Sequence, residues 1–271
     1  MKVKMTDRDA MRVAVAGALA TALLAGGCAA PGPGDSKGAG GDTATVASDV
    51  SMASLRRTGF LSDYDRLKPV AGGTGMLCWR SDDVDWKQFD KVMFERIQVY
   101  FKGGTDKSVD PTDLKLLIDY FHDALVTAMK PVAQVVNATG PGTLQVRIAL
   151  TDLVPTNTAA SLVGTAIPFG YVAEVGAGAA QGLPAGSTAY LGQTGLAAQF
   201  RDGATGKVVA ECADHQIGLK YAANMNAGVG GAASTWMSGY MGSFSQWTYA
   251  KAAFDKWSAD FAQRFAALKK G

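Results

Sequence analysis

The clearest helix and the clearest strand of the sequence lie close together in residues 109–153, VDPTDLKLLIDYFHDALVTAMKPVAQVVNATGPGTLQVRIALTDL. Asp110 is a favourable N-cap and Pro111 suits the first helical position, so the sequence predicts a helix that begins here and ends at Pro131. Its apolar side chains recur at helical spacing on one face. They are Leu114, Leu117, Ile118, Phe121, Leu125 and Met129.

Strand patterns flank this helix on both sides. Within residues 143–153 apolar side chains alternate with mostly polar ones, which predicts a strand with one buried face. Residues 91–101, KVMFERIQVYF, also alternate, but the parity changes at Glu95 and Arg96. A bulge there would restore one buried face, and the sequence does not distinguish a bulge from a bend. The strand–helix–strand order permits a parallel pair.

The second half of the chain predicts a hairpin and a last helix. Residues 188–202 and 207–219 are strand-like and are joined by DGATGK, whose glycines suit a hairpin turn. Residues 248–271 predict an amphipathic helix. Its aromatic side chains favour a core beneath it, with a ligand-binding shelf as the alternative. The predicted fold is a two-layer α+β sandwich, a mixed sheet of four or five strands with two main amphipathic helices packed on it.

The amino terminus predicts export and lipidation. Basic side chains precede an apolar run from Val13 to Ala25, which is too short to span a bilayer and has the length of a signal-peptide core. Small residues and Cys28 follow, a pattern similar to the bacterial lipobox, whose cysteine receives a diacylglycerol. We expect a signal peptide over residues 1–27, a lipidated Cys28 with a flexible tether over 28–53, and a single globular α+β domain over 54–271. The alternative is an ordinary cleaved signal with a chance cysteine.

Location and charge follow from this interpretation. Resemblance to lipoproteins implies a triacylated N-terminus that anchors the protein firmly to a membrane. Ala29 favours the periplasmic face of the outer membrane by analogy, because an Asp at that position retains lipoproteins in the inner membrane. The signal's four basic and two acidic side chains account for the net charge of +2, so the mature chain is formally neutral. We therefore expect no nucleic-acid partner.

Two cysteines remain once Cys28 carries lipid. Cys78 and Cys212 both lie in strand-like stretches, and an exported domain meets an oxidising compartment in which two thiols can pair. They are candidates for a disulfide. Two buried free thiols that pack as small apolar groups are the alternative.

Catalytic patterns are weak. His122 and Asp119 lie within one helical turn, a spacing that could orient an imidazole, although a half-exposed helix residue is the plainer interpretation. His215 follows Asp214, but adjacent strand residues point to opposite faces. The HExxH, CxxC and GxSxG patterns are absent from the sequence. We expect no metal site, no cofactor and no enzymatic activity.

Several phrases together resemble one known family. They are TGFLSDYDRL (58–67), QFDKVMFERIQVYF (88–101), VDPTDLKLLIDYFHDAL (109–125), GTLQVRIALTDLVPT (142–156), AAQFRDGATGKVVAECAD (197–214) and AKAAFDKWSADFAQRF (250–265). This is similar to the bacterial lipoprotein family that carries the domain of unknown function 3313. The resemblance implies a Gram-negative envelope lipoprotein and no particular activity. Cys78 and Cys212 depart from the family pattern.

Three functions compete on the sequence alone. The first is a membrane-anchored binding or assembly module that faces the periplasm and contacts an envelope protein. The second is an oligomeric component that inserts the apolar, Gly-rich residues 157–186 into lipid. The third, the weakest, is a hydrolase that uses Asp119 and His122. Neither residues 157–186 nor the similar stretch 221–242 has a pattern that assigns secondary structure.

Overall fold

The computed structural model describes residues 46–48, 55–70, 75–101, 109–160, 187, 190–219 and 245–270. All of them belong to one unit, residues 39–271. The predicted signal peptide, Cys28 and most of the predicted tether lie outside the described residues, as do nearly all of residues 157–186 and all of residues 221–242.

One mixed sheet of nine strands forms the centre of the described structure. The strands are β1 (Val46–Ser48), β2 (Lys68–Pro69), β3 (Leu77–Arg80), β4 (Lys91–Phe94), β5 (Gln98–Tyr100), β6 (Gln134–Val135), β7 (Thr143–Val154), β8 (Gln193–Asp202) and β9 (Val208–Gly218). Their order is β2-β3-β9-β8-β7-β4-β6, while β1 pairs with β9 and β5 pairs with β7. The prediction of four or five strands was wrong, because the added strands at the ends of the sheet are two or three residues long and too short to show a period.

The parity change at Glu95 and Arg96 is a one-residue bulge. Both β4 and β5 pair in parallel with β7, but Phe94 aligns with Val146 whereas Gln98 aligns with Ala149. Three residues, 95–97, therefore lie between the aligned positions on the β4–β5 side, whereas only two, 147–148, lie between them on β7. The bulge splits the predicted strand into β4 and β5, and it resolves the choice that the sequence left open.

Helix α1, Pro111–Met129, begins as predicted. The Asp110 side chain accepts a hydrogen bond from the Thr112 backbone N–H at 2.7 Å, and Pro111 occupies the first turn. Leu117, Phe121, Leu125 and Met129 are buried along one face. Because α1 lies in the chain between the parallel strands β4 and β7, this part of the fold is the predicted strand–helix–strand unit.

The predicted hairpin and last helix are also present. Strands β8 and β9 pair antiparallel, and Gly206 in the turn has a φ of 71°, which favours glycine. Helix α2, Thr248–Lys270, follows. A side chain at Gly218 would meet the ring of Tyr249 at 2.5 Å, so glycine lets α2 approach the end of β9.

The two helices pack together as well as on the sheet. The rings of Phe121 in α1 and Phe254 in α2 stack with their centroids 4.5 Å apart. Beside them, the Tyr120 hydroxyl donates to the Asp255 carboxylate at 2.8 Å. Burial, and then the neighbouring Asp255, raise the pKa of Tyr120 to about 12.

The sheet has a cluster of buried apolar side chains on each side. On the side that we call the helix face, α1 and α2 pack against alternate residues of β7, β8 and β9. On the side that we call the N-terminal face, residues 55–67 cover the sheet through Leu55, Phe60, Leu61, Tyr64 and Leu67. The predicted two-layer arrangement thus gains a third, irregular layer.

Candidate functional site

A cavity of about 820 Å³ lies on the helix face, between the sheet and the two helices. Its sheet side is formed by apolar residues of four strands, and its helix side is mostly aromatic and aliphatic. The sheet side comprises Cys78, Val146, Ile148, Leu196, Ala198, Phe200, Ala210 and Cys212, and the helix side comprises Phe121, Leu125, Trp257, Phe261, Phe265 and Leu268.

Small side chains explain why the sheet does not fill this space. Ala198 in β8 and Ala210 in β9 belong to the helix-face cluster and line the cavity, where longer side chains would occupy part of the space. The predicted aromatic core beneath the last helix is present, since Phe254, Trp257 and Phe265 are buried. Trp257, Phe261 and Phe265 also line the cavity, so the same helix that closes the core forms one wall of the cavity.

A disulfide joins β3 to β9 at the cavity wall. Cys78 and Cys212 are direct cross-strand partners, with Cα atoms 4.1 Å apart and a separation of 134 residues in the chain. The pairing that the sequence left open is therefore formed, and the alternative of two free thiols is wrong. Both cysteines line the cavity, which fixes the position of its β3 wall.

The cavity opens to solvent where its lining is charged. Four basic side chains, Lys68, Arg80, Lys87 and Arg264, and two acidic ones, Asp82 and Asp85, belong to the lining. All except Arg264 are exposed, and they lie on β2, on β3, in the loop that follows β3 and, for Lys87, in the 3-10 helix Trp86–Gln88. The mouth is thus polar and carries an excess of positive charge over an apolar interior.

Trp86 adds a buried donor to this wall. Its side chain is 8% exposed, and its indole N–H has no hydrogen-bond partner in the part of the chain that the structure describes. A buried N–H without an acceptor is costly and uncommon. Among the described tryptophans of the cavity lining, Trp86 is the one whose donor is both buried and unpaired, because the Trp257 N–H donates to Asp214 at 2.7 Å and Trp79 is only half-buried.

The N-terminal face is built around one buried carboxylate. Glu211 in β9 accepts hydrogen bonds from the Ser62 backbone N–H at 2.7 Å and from the Ser62 hydroxyl at 3.0 Å. Arg66 donates to its other oxygen at 2.6 Å, and the Gln199 amide donates at 2.6 Å. The Arg66 guanidinium also lies 3.5 Å above the ring of Trp79. The covering segment is therefore fixed to the sheet through Glu211.

Further hydrogen bonds extend from Gln199 across the sheet. Its side-chain oxygen accepts from Arg147 at 2.6 Å and from Arg201 at 2.8 Å. Arg147 in turn donates to Glu95 at 3.2 Å, and Glu95 also accepts from Gln145. We call this set the Glu211 network: Ser62, Arg66, Glu95, Gln145, Arg147, Gln199, Arg201 and Glu211. It links the bulge to β9 and the segment that covers it.

The ionised form of Glu211 is favoured. Burial by itself would raise the pKa of Glu211, but the hydrogen bonds from Ser62, Gln199 and Arg66 outweigh it and lower the pKa below its ordinary value. A buried carboxylate with this many donors is a structural anchor, and its lone pairs are occupied.

The residues proposed for catalysis are not brought together. Asp119 pairs with Lys115, and the His122 ring nitrogen Nδ1 lies 3.7 Å from Asp123 instead. His122 is half exposed, as the plainer interpretation expected. Asp214 accepts from the His215 backbone N–H at 2.8 Å and is buried beside α2, with Lys256 Nζ 3.8 Å away. Within the described ranges, no three His, Cys, Asp or Glu side chains are grouped so as to hold a metal ion.

Sequence reasoning missed both the cavity and the Glu211 network. One signal for the network was available, because Glu211 shares its parity with the apolar Val209, Ala213 and Ile217. The cavity had no such signal, because the sequence does not show whether another side chain fills the space beside an alanine that lies beneath a helix. No helix among the described residues has the length and apolarity to cross a membrane.

These features define a mixed α+β protein whose sheet carries an apolar cavity on one face and a buried charge network on the other. The family model for proteins of unknown function, DUF3313, matches residues 56–261, and the chain belongs to this family. The matched range contains the Glu211 network and most of the cavity lining. No curated protein matches the chain.

Two solved structures of PelC dodecamers from Paraburkholderia phytofirmans are similar to the chain. A leucine-to-methionine variant is 10% identical, with a TM-score of 0.29, and the match covers 60% of this chain and 88% of that one. The other PelC dodecamer is 9% identical, with a TM-score of 0.28, and the match covers 53% of this chain and 82% of that one. These likenesses are too distant to inform function.

Proposed function

We propose that this chain is a lipid-anchored envelope protein that acts as a binding module, and that the helix-face cavity is its binding site for an apolar ligand. One observation carries the proposal. The cavity, of about 820 Å³, has the size of small-molecule sites and a lining that is apolar inside and polar at the mouth. The proposed activity is binding and not catalysis.

The charge distribution supports the choice of face. The Glu211 network uses the polar side chains of the N-terminal face for contacts within the protein. On the helix face, by contrast, the interior of the cavity offers apolar surface that no described side chain covers. Burying that surface against a ligand would stabilise the complex by about 25 cal/mol for each Å² removed from water.

The disulfide supports location in the cell envelope. A cross-strand disulfide persists in oxidising compartments and is rare in the cytosol. Together with the lipobox-like sequence before Cys28, it favours anchoring through an acylated Cys28 to the periplasmic face of the outer membrane. An envelope protein partner and self-assembly are compatible with this arrangement. The structure describes only residues 157–160 of the segment 157–186, so the alternative of lipid insertion lies largely outside the described residues.

The anchor is tested by replacing its sulfur. In cells fed radiolabelled palmitate, the full-length protein should take up label and fractionate with membranes, whereas Cys28→Ser should take up none. Cys78→Ser is the matched control, because it removes a cysteine without touching the proposed lipid site. Labelling of Cys28→Ser at the wild-type level would contradict the anchor and leave the binding site to its own test.

The binding site is tested by narrowing its mouth. Ala267 is exposed on α2 and belongs to the cavity lining, whereas Ala259 is exposed on the same helix and does not. Residues 29–271 contain the whole unit 39–271, so we would use this chain without its lipid, to keep detergent out of the cavity. The uncharged fluorophore N-phenyl-1-naphthylamine serves as the probe.

We expect wild-type protein and Ala259→Trp to bind the probe saturably, and Ala267→Trp to bind at least fivefold more weakly. All three proteins should unfold at the same denaturant concentration, because an exposed substitution changes stability by about 0.5 kcal/mol or less. Equal binding by the two tryptophan variants, or absence of saturable binding in the wild type, would refute the cavity as the site.

A further inference from the structure

The charged mouth and the buried donor of the cavity indicate more than apolar binding. Resting on the proposed function, we propose that the ligand is a fatty-acyl amphiphile. Its apolar chain lies in the cavity, and its anionic, oxygen-bearing head group lies at the mouth, beside Trp86, Arg80 and Lys87.

The first argument is the donor on Trp86. An indole N–H can only donate, so it is satisfied only by an acceptor. The side chain is 8% exposed and lines the cavity, and its N–H has no acceptor in the described part of the chain. A purely hydrocarbon ligand would leave the N–H unpaired, whereas a carboxylate, phosphate or ester oxygen would pair it.

The second argument is the charge around Trp86. Lys68, Arg80 and Lys87 are exposed members of the lining, and none of them forms an ion pair with a residue that the structure describes. The acid nearest in sequence, Asp85, uses one oxygen to accept the Lys87 backbone N–H at 3.0 Å. With Arg264, the four basic side chains of the lining outnumber its two acids, Asp82 and Asp85, and this excess of positive charge beside a neutral donor complements an anion.

The cavity also separates an apolar environment from a charged one. Inside, the cavity offers Ile148, Leu196 and Phe265, which suit a chain of methylene groups. Apart from Arg264 on α2, the charged residues of the lining lie on β2, on β3 and within residues 82–87. A molecule that fits both must itself be apolar at one end and anionic at the other, which describes a fatty acid or a single-chain phospholipid.

The experiment compares ligands with one chain and three head groups. Palmitate, hexadecanol and palmitoyl lysophosphatidic acid would each displace N-phenyl-1-naphthylamine from residues 29–271 at pH 7.5, below their micelle-forming concentrations. We expect palmitate or lysophosphatidic acid to bind about tenfold more tightly than hexadecanol, the effect of one charge-assisted hydrogen bond. The anion that binds more tightly identifies the head group as carboxylate or phosphate.

Variants locate the head group. Trp86→Phe removes the donor and should weaken the preferred anion about tenfold, with hexadecanol less affected. Because Trp86 belongs to the core, Arg80→Gln and Lys87→Gln give an independent test on exposed residues, and each should reduce the preference for the anion over hexadecanol. Lys115→Gln on the outside of α1 is the matched control and should change nothing.

The outcomes separate this inference from the proposed function. If all three ligands bound equally, and Arg80→Gln and Lys87→Gln changed nothing, the anionic head group would be overturned. The proposed apolar site would stand if the probe still bound and Ala267→Trp still weakened its binding. Failure of the probe itself to bind would overturn both proposals. A preference for the anions that disappears in the mouth variants would establish the amphiphile site.

Discussion

On the helix face, the residues of β7, β8 and β9 are apolar and leave a cavity of about 820 Å³ beneath α1 and α2. On the N-terminal face, alternate residues of the same strands are Arg147, Gln199 and Glu211, which hydrogen-bond in that order, and Ser62 and Arg66 donate to Glu211. Because successive strand residues point to opposite faces, each strand contributes to both arrangements.

Two of the phrases that resemble the family lie together on the N-terminal face. The phrase TGFLSDYDRL contains Ser62 and Arg66, and the hairpin phrase contains Gln199 and Glu211. Two of the phrases that carry the family resemblance therefore meet in the Glu211 network, which fixes the covering segment. These contacts hold the covering segment to the sheet, whereas the proposed binding site lies on the opposite face.

Removing the disulfide at the wall of the cavity should reduce stability more than any other change considered below. Replacing both cysteines in Cys78→Ala/Cys212→Ala should lower the free energy of unfolding by about 4 kcal/mol, because a bridge across more than a hundred residues restricts the unfolded chain strongly. Urea denaturation of residues 29–271 measures it. Reductant should destabilise the wild type to a similar extent and leave the double variant unchanged, and a loss below about 1 kcal/mol would contradict this account.

The next effect belongs to the N-terminal face. Glu211→Gln should cost about 3 kcal/mol, since it removes the charge that pairs with Arg66 and places an amide donor against the Ser62 and Gln199 donors. Affinity for N-phenyl-1-naphthylamine, measured below the unfolding transition, should stay within twofold. If Glu211→Gln changed the affinity strongly and the stability little, the N-terminal face would take part in binding, which would contradict the division of roles between the two faces.

The same carboxylate gives a pH dependence. Hydrogen bonds outweigh burial and lower the pKa of Glu211 in the folded protein. The ionised group therefore stabilises the fold above its unfolded-state pKa of about 4.3, and this contribution disappears as the pH falls through the lower, folded-state pKa. The stability gap between the wild type and Glu211→Gln should be full at pH 7 and shrink below about pH 4. A gap that is constant from pH 7 to pH 3 would show that Glu211 acts through packing alone.

The smallest expected effect tests the covering segment. Ser62→Ala removes the hydroxyl donor to Glu211 and keeps the backbone donor, so it should cost about 1 to 2 kcal/mol. Ser81→Ala is the control, a partly buried serine outside the Glu211 network. Equal losses in the two variants, measured by urea denaturation, would mean that the Ser62 hydroxyl has no special part in fixing the segment.

Much of the fold could be predicted from the sequence, because it depends on local patterns. Asp110 and Pro111 set the start of α1, and the parity change at Glu95 marks the bulge. The strands β1, β2 and β6 could not be predicted, since strands of two or three residues depend on partners that are distant in the chain. The same holds for the cover of residues 55–67, which needs Glu211, about 150 positions later.

The candidate site was less accessible to sequence reasoning. Cys78 and Cys212 stood out because cysteines are few and chemically distinct, and the structure pairs them. The cavity exists because the side chains of Ala198 and Ala210 are too small to fill the space between the sheet and the helices. Trp86 is notable only because its N–H lacks an acceptor among the described residues. An absence of packing is a property of the assembled fold and leaves no periodic trace in the sequence.

Photolabelling would show on which face of the sheet the ligand binds. A small, uncharged diazirine probe would be irradiated with residues 29–271, and the labelled peptides would be sequenced by mass spectrometry. We expect saturable labelling near Phe261 and Leu268 of α2 and near Trp86, which Ala267→Trp reduces and Ala259→Trp does not. Saturable labelling confined to residues 55–67 on the N-terminal face would contradict it.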